Sequence, residues 1–123
     1  MTSLCLRAAD LLLEEGIKAE VIHLASIKPI DQALILESIA HTGCAVSAEN
    51  ASIVGGFGSA VAEAMIETRP VPLFRIGVRD RFVECGGIDE LFTHHRMQPE
   101  HIAEAARESL RAKEKLRSNG YPF

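Results

Sequence analysis

Three short apolar runs, at residues 19–24, 44–48 and 73–77, alternate with longer stretches whose apolar residues recur at helical spacing, and few folds admit that order. Strands of five or six residues separated by helices are not hairpin partners. Each must cross over to its neighbour, which gives parallel strands covered by helices. The order predicts an α/β fold, a three-layer α/β/α arrangement with a mostly parallel sheet. In such sheets the loops leaving the carboxyl ends of strands carry function. Here these are residues 25–30, 49–58 and 78–87.

Local signals place the helices. Thr2 or Ser3 can cap a helix over 4–15, in which Leu4, Ala8, Leu11 and Leu12 form a stripe and Gly16 supplies the left-handed residue past the end. Lys28-Pro29 turns the chain after the first apolar run, and Asp31 is placed to cap a second helix that carries Leu34, Ile35 and Ile39 and ends near Gly43. A glycine-rich loop over 50–58 leads into a helix at 59–68, which Arg69-Pro70 and Pro72 stop. Residues 78–87 are charged and irregular. A short helix over 88–95 follows, and Pro99 opens a last helix that runs to about residue 117. The expected organisation is one domain over 1–117 and a frayed tail over 118–123.

With 123 residues, 47% of them apolar, the chain can bury one core. Its net charge is 13 − 17 = −4, its basic residues are scattered and only 5% of its residues are aromatic, which argues against nucleic acid as a partner. No apolar run approaches the length of about 20 residues that a membrane span requires, and residues 1–13 lack the features of a signal peptide. Cys5, Cys44 and Cys85 are odd in number and widely spaced, fitting neither a disulfide framework nor a CxxC pair. They read as buried thiols in a reducing cytoplasm.

The motifs are few. Gly55, Gly56 and Gly58 follow a strand and open a helix, where backbone amides can face an anion, but the Lys-Ser/Thr ending of a phosphate loop is absent. A tight turn with close helix packing is the simpler reading. Glu49, at the expected end of the second strand, is the one carboxylate placed to pair with those amides, in a structural or interface role. Arg79, Asp80 and Arg81 could grip an anion or form a partner-facing charge cluster. His94 and His95 are adjacent and should point to different sides, so they chelate poorly. No nucleophile has a neighbouring base in sequence.

Three segments taken in order carry more information than any one alone. They are Ile27-Lys28-Pro29-Ile30-Asp31, then Ala48-Glu49-Asn50 with Gly55-Gly56-Phe57-Gly58-Ser59-Ala60-Val61-Ala62-Glu63, then Arg75-Ile76-Gly77-Val78-Arg79-Asp80-Arg81-Phe82. Over residues 1 to about 112 the series resembles the C-terminal domain of transketolases. The same domain occurs in 1-deoxyxylulose-5-phosphate synthases and in the beta subunits of 2-oxoacid dehydrogenases, and the form of the third segment favours transketolase. The resemblance implies that thiamine diphosphate and a divalent metal lie between two preceding domains, with no catalytic, cofactor-binding or metal-binding residue on this chain. It implies a supporting role in a dimer, with chains bearing the diphosphate- and pyrimidine-binding domains as partners in a homo- or hetero-oligomer. It also implies a first strand, between those at 19–24 and 44–48, that this chain lacks, since the first helix begins at once. A stand-alone anion-binding regulatory domain and a truncated non-catalytic remnant are the alternatives.

Overall fold

In the computed structural model, which describes residues 1–122, the chain runs α1 (Thr2–Glu14), α2 (Gln32–Thr42), β1 (Ala45–Ser52), α3 (Phe57–Ile66), β2 (Leu73–Val78), α4 (Ile88–His94) and α5 (Pro99–Ser118). β1 and β2 pair in parallel, with Ala45 beside Leu73 and Ala48 beside Ile76. Successive strand side chains point to opposite faces, so this register sorts the core into two halves. Ala45 and Leu73 join Ile35, Ile39, Val61 and Met65 on the side of α2 and α3. Val46, Ala48 and Ile76 join Ala8, Leu12, Ile102 and Ala103 on the side of α1 and α5. The three-layer α/β/α order is the one the sequence predicts.

The helix signals act as read at most ends. Gly16 and Gly43 adopt φ of +78° and +66°, and the Asp31 carboxylate accepts a hydrogen bond from the Leu34 amide at 3.0 Å. Pro99 opens α5. Thr2 does not cap α1, because its hydroxyl pairs with His23 Nδ1 at 2.9 Å. The α1–α5 seam closes on small residues, Ala8 and Ala103 being 1% and 0% exposed. At the rim of the seam Arg107 holds Glu15 by two hydrogen bonds, and chiefly for that reason the Glu15 carboxyl titrates below its usual range.

Several expectations need correction. Residues 19–24 are not a strand. They are tied by side chains instead: Glu20 accepts a hydrogen bond from the Ser38 hydroxyl, His23 meets Thr2, and Leu24 packs on the α2–α3 core. A strand exists only by pairing, and among the described residues β1 and β2 form a two-stranded sheet with no third strand to pair with this segment. β1 runs past 48 to Ser52, with a break in register between Ala48 and Ser52, so Glu49 lies inside the strand and not at its end. Helix α3 begins two residues before 59 because Gly56 takes the cap position. The thiols are not all buried, since Cys5 and Cys44 are half-buried and Cys85 is exposed. Ser118 is the last helical residue, the Tyr121 amide donates to the Leu116 carbonyl at 3.1 Å, and Phe123 of the expected tail lies outside the described residues. No described helix is long and apolar enough to cross a membrane.

Two outcomes follow from this packing. Ala103→Leu forces a larger side chain into the α1–α5 seam and should cost about 1–3 kcal/mol in urea unfolding, whereas the same change at exposed Ala40 should cost little. Thiol labelling should modify Cys85 first. Burial raises the Cys5 thiol above its ordinary range, against a smaller opposing effect of the N-terminal ammonium. Since the thiolate is the reactive form, Cys5 labelling should accelerate only as the pH passes above that range. Equal labelling rates for the two at neutral pH would contradict the packing of α1.

Candidate functional site

A single carboxylate organises the end of the sheet where the loops emerge. Glu49 is 6% exposed, and a charge so far from water must be paired or hydrogen-bonded. It points to the α3 side of β1. There Oε2 accepts from the Phe57 amide at 2.7 Å and Oε1 from the Gly58 amide at 2.9 Å. These are the first two residues of α3, so the carboxylate satisfies two orphan donors and meets the positive end of the helix dipole. The carboxylate that faces the glycine turn is the protein's own, alongside the tight turn and close helix packing read from the sequence.

This arrangement dictates the glycines. A Cβ on Gly56 would overlap Glu49 Oε2 and the Ser52 carbonyl, and one on Gly58 would fall 2.5 Å from Ser47 Oγ and 2.9 Å from Arg75 Cδ. Gly55, at φ +68°, makes the turn itself. Arg75 closes the side, donating from Nη1 to the Ile53 carbonyl at 2.9 Å and to Ser59 Oγ at 3.2 Å. Loop 52–56 is thereby fastened to both α3 and β2.

Arg79, Asp80 and Arg81 leave β2 beside this loop, since Val78 pairs with Ser52. They are exposed, and among the described residues none of their side chains makes a hydrogen bond, Arg81 acting on Glu84 through its charge alone. They do not join Glu49. Residues 79–90 are exposed throughout, with Phe82 100% exposed and Val83 and Ile88 about half or more uncovered.

His94 and His95 correct the expectation that they diverge. His95 lies just past the end of α4, and both rings reach the Glu84 carboxylate, at 3.4 and 3.3 Å. The rings meet edge to face with centroids 5.0 Å apart. Glu84 titrates below its usual range, first through a backbone hydrogen bond and then through the two histidines and Arg81. No group of three metal-ligating side chains is assembled among the described residues.

Sequence reasoning missed Arg75 and Ser59, which fasten the loop beside Glu49, and Ser47, which lies against Gly58. Strand alternation was the available signal, since Ser47 and Glu49 share a face and Ser47 stands beside Arg75.

Glu49→Gln keeps the shape but sets an NH2 group against one helix amide, and should cost about 2–3 kcal/mol in urea unfolding. Gly56→Ala should be as damaging alone. It should cost less in a Glu49→Ala background, where half of its overlap is gone. A Glu49→Gln chain as stable as the parent would show that the carboxylate does not hold the turn.

The family description "Transketolase, C-terminal domain" matches residues 1–102. A 6-deoxy-6-sulfo-D-fructose transketolase subunit of Clostridium sp. (strain MSTE9) is 45% identical over 108 residues, covering 88% of this chain and 34% of that protein. The 1-deoxy-D-xylulose-5-phosphate synthase 1 of Geobacter sulfurreducens is 40% identical over 110 residues, covering 88% of this chain and 17% of its own length. Among solved structures, a split gene transketolase described as an inactive beta4 tetramer matches with a TM-score of 0.84 and 40% identity, over 91% of this chain and 36% of that one. The chain therefore spans 36% or less of these relatives' length. Likeness to both transketolases and the synthases is likeness of the shared domain, and the chain belongs to the transketolase C-terminal domain family.

Proposed function

We propose that this chain is the C-terminal part of a thiamine-diphosphate-dependent transketolase that moves two-carbon ketol units between sugar phosphates in the cytoplasm. In this reading it acts only in assembly with chains that carry the diphosphate- and pyrimidine-binding domains. It supports their dimer and leaves the catalytic centre to them. The transketolase form of the Arg75–Phe82 segment favours this enzyme over the synthase.

The observation that carries the reading is the uncovered loop after β2. A phenylalanine with its whole surface in water, followed by half-exposed Val83 and exposed Ile88, is an apolar anchor awaiting a partner surface. It projects beside a turn that Glu49 holds rigid, so a partner would meet a preformed edge. The glycine turn does not fit the cofactor's diphosphate. The strand–turn–helix junction, the kind of place that cradles a diphosphate, has its first two amides occupied by Glu49. The same occupation argues against a stand-alone regulatory site at Gly55, Gly56 and Gly58.

Reconstitution tests the proposal. Mixing the chain with separately expressed thiamine-binding domains should restore ketol transfer, and Phe82→Asp should weaken the association by about 2 kcal/mol or more. Equal activity of the thiamine-binding domains without this chain would refute the reading. So would tight binding of thiamine diphosphate to the chain alone by calorimetry.

A further inference from the structure

A cleft of about 270 Å³ opens on the other face of β2, between that strand and α5, and the turn joining α4 to α5 contributes to its wall. Two imidazole nitrogens in this region are buried without hydrogen-bond partners, His95 Nε2 and His101 Nδ1. The His95 side chain is 4% exposed, and its Nε2 lies 3.3 Å from Glu84 but off the line of a hydrogen bond. Buried polar atoms without partners are few in folded proteins, and each asks for an explanation. The third such atom, Ser47 Oγ, sits on the opposite face against the glycine at position 58. The two histidines, in contrast, both line the cleft.

The charges around them have a definite sign. Arg79 and Arg81 line the cleft and donate no hydrogen bond among the described residues, whereas Arg96 is paired with Glu104. The lining carries four arginines and two glutamates, so 4 − 2 = +2 before any histidine is protonated, although the Arg75 guanidinium is already engaged by the Ile53 carbonyl and Ser59. Donors thus come from three elements: the segment after β2, the α4–α5 turn and α5. A carboxylate presents its two acceptor oxygens in one plane, while a tetrahedral phosphate spreads several oxygens in three dimensions, which suits donors that arrive from three elements. Glu108, which also lines the cleft and has no hydrogen-bond partner among the described residues, offers an acceptor to a hydroxyl.

We propose that this cleft binds a phosphate group, held by Arg79, Arg81, His95 and His101, with Glu108 placed to take a hydroxyl of a phosphate monoester. The site is separate from the glycine turn, whose amides serve Glu49, and it stands or falls independently of the assembly proposed above.

The test follows the five histidine ring signals of the chain by NMR at constant ionic strength, titrating with inorganic phosphate and, in a second arm, with glycerol 3-phosphate. Saturable shifts are expected at His95 and His101 with a dissociation constant of about 1 mM or below. His23, held by Thr2, and His41, beside Glu20, should not move. Tighter binding of the ester would assign the site to a monoester, and equal binding would assign it to the free ion; either upholds a phosphate site. Both arginines are exposed, so an Arg79→Gln, Arg81→Gln double variant should fold normally and bind about tenfold more weakly. Absence of saturation, equal shifts at all five histidines, or unchanged affinity in the double variant would overturn the proposal.

Discussion

The Glu49 carboxylate is the constraint from which the carboxyl edge of the sheet is built. A buried charge requires close donors, and the first amides of α3 supply two. Bringing a helix start within 3 Å of a strand side chain leaves no room for a Cβ at the cap or second position. The glycine at 56 is thus a consequence of Glu49, and the one at 58 of Ser47 and Arg75, which flank the same helix start. Arg75 then becomes necessary, because the loop between Ser52 and Gly56 needs a second anchor, and its guanidinium provides it at the Ile53 carbonyl. Strand, turn and helix are joined here by polar bonds, whereas elsewhere the layers are held mainly by apolar packing.

That division explains what could be read in the sequence. Helix ends at Gly16, Asp31, Gly43 and Pro99 are decided by local chemistry, so they were legible. The face sorting of β1 and β2 was not read in advance, because it needs the register of the pair as well as a period of two. Residues 19–24 look like a strand by composition, yet strandness requires a neighbour, and pairing is not a local property. β1 was read too short for the opposite reason. Its second half, Glu49-Asn50-Ala51-Ser52, is polar and resembles loop, but β2 lies alongside and Ser52 pairs with Val78. The candidate site was half legible: Glu49 and the glycines stood out by type and position, while His95 and His101 come together only through the turn between α4 and α5.

The sheet also shows an asymmetry between its faces. On the α2–α3 side the strand ends are sealed by Glu49, Arg75 and Ser59, which hydrogen-bond to one another's neighbours and leave few groups unsatisfied. On the α5 side the same strand end borders a cleft where Arg79 and Arg81 donate no side-chain hydrogen bond and two buried imidazole nitrogens lack a hydrogen-bond partner among the described residues. Polar groups that the fold itself needs are already engaged, so those left over are the ones available to a ligand or a neighbour.

The location of the leftover groups bears on how such a domain can serve a larger enzyme. Loops leaving the carboxyl ends of parallel strands are the usual place for chemistry in α/β proteins, and here the loop after β1 is consumed internally by its own carboxylate. Only the segment after β2 remains free, and it divides its residues by type: Phe82 and Val83 offer apolar surface, while Arg79 and Arg81 turn positive charge toward the cleft. An edge built in this way can hold a partner surface and an anion side by side without either competing for the amides that keep α3 in place. Rigid support from one loop and recognition by the next is therefore a direct result of where a single glutamate lies on β1.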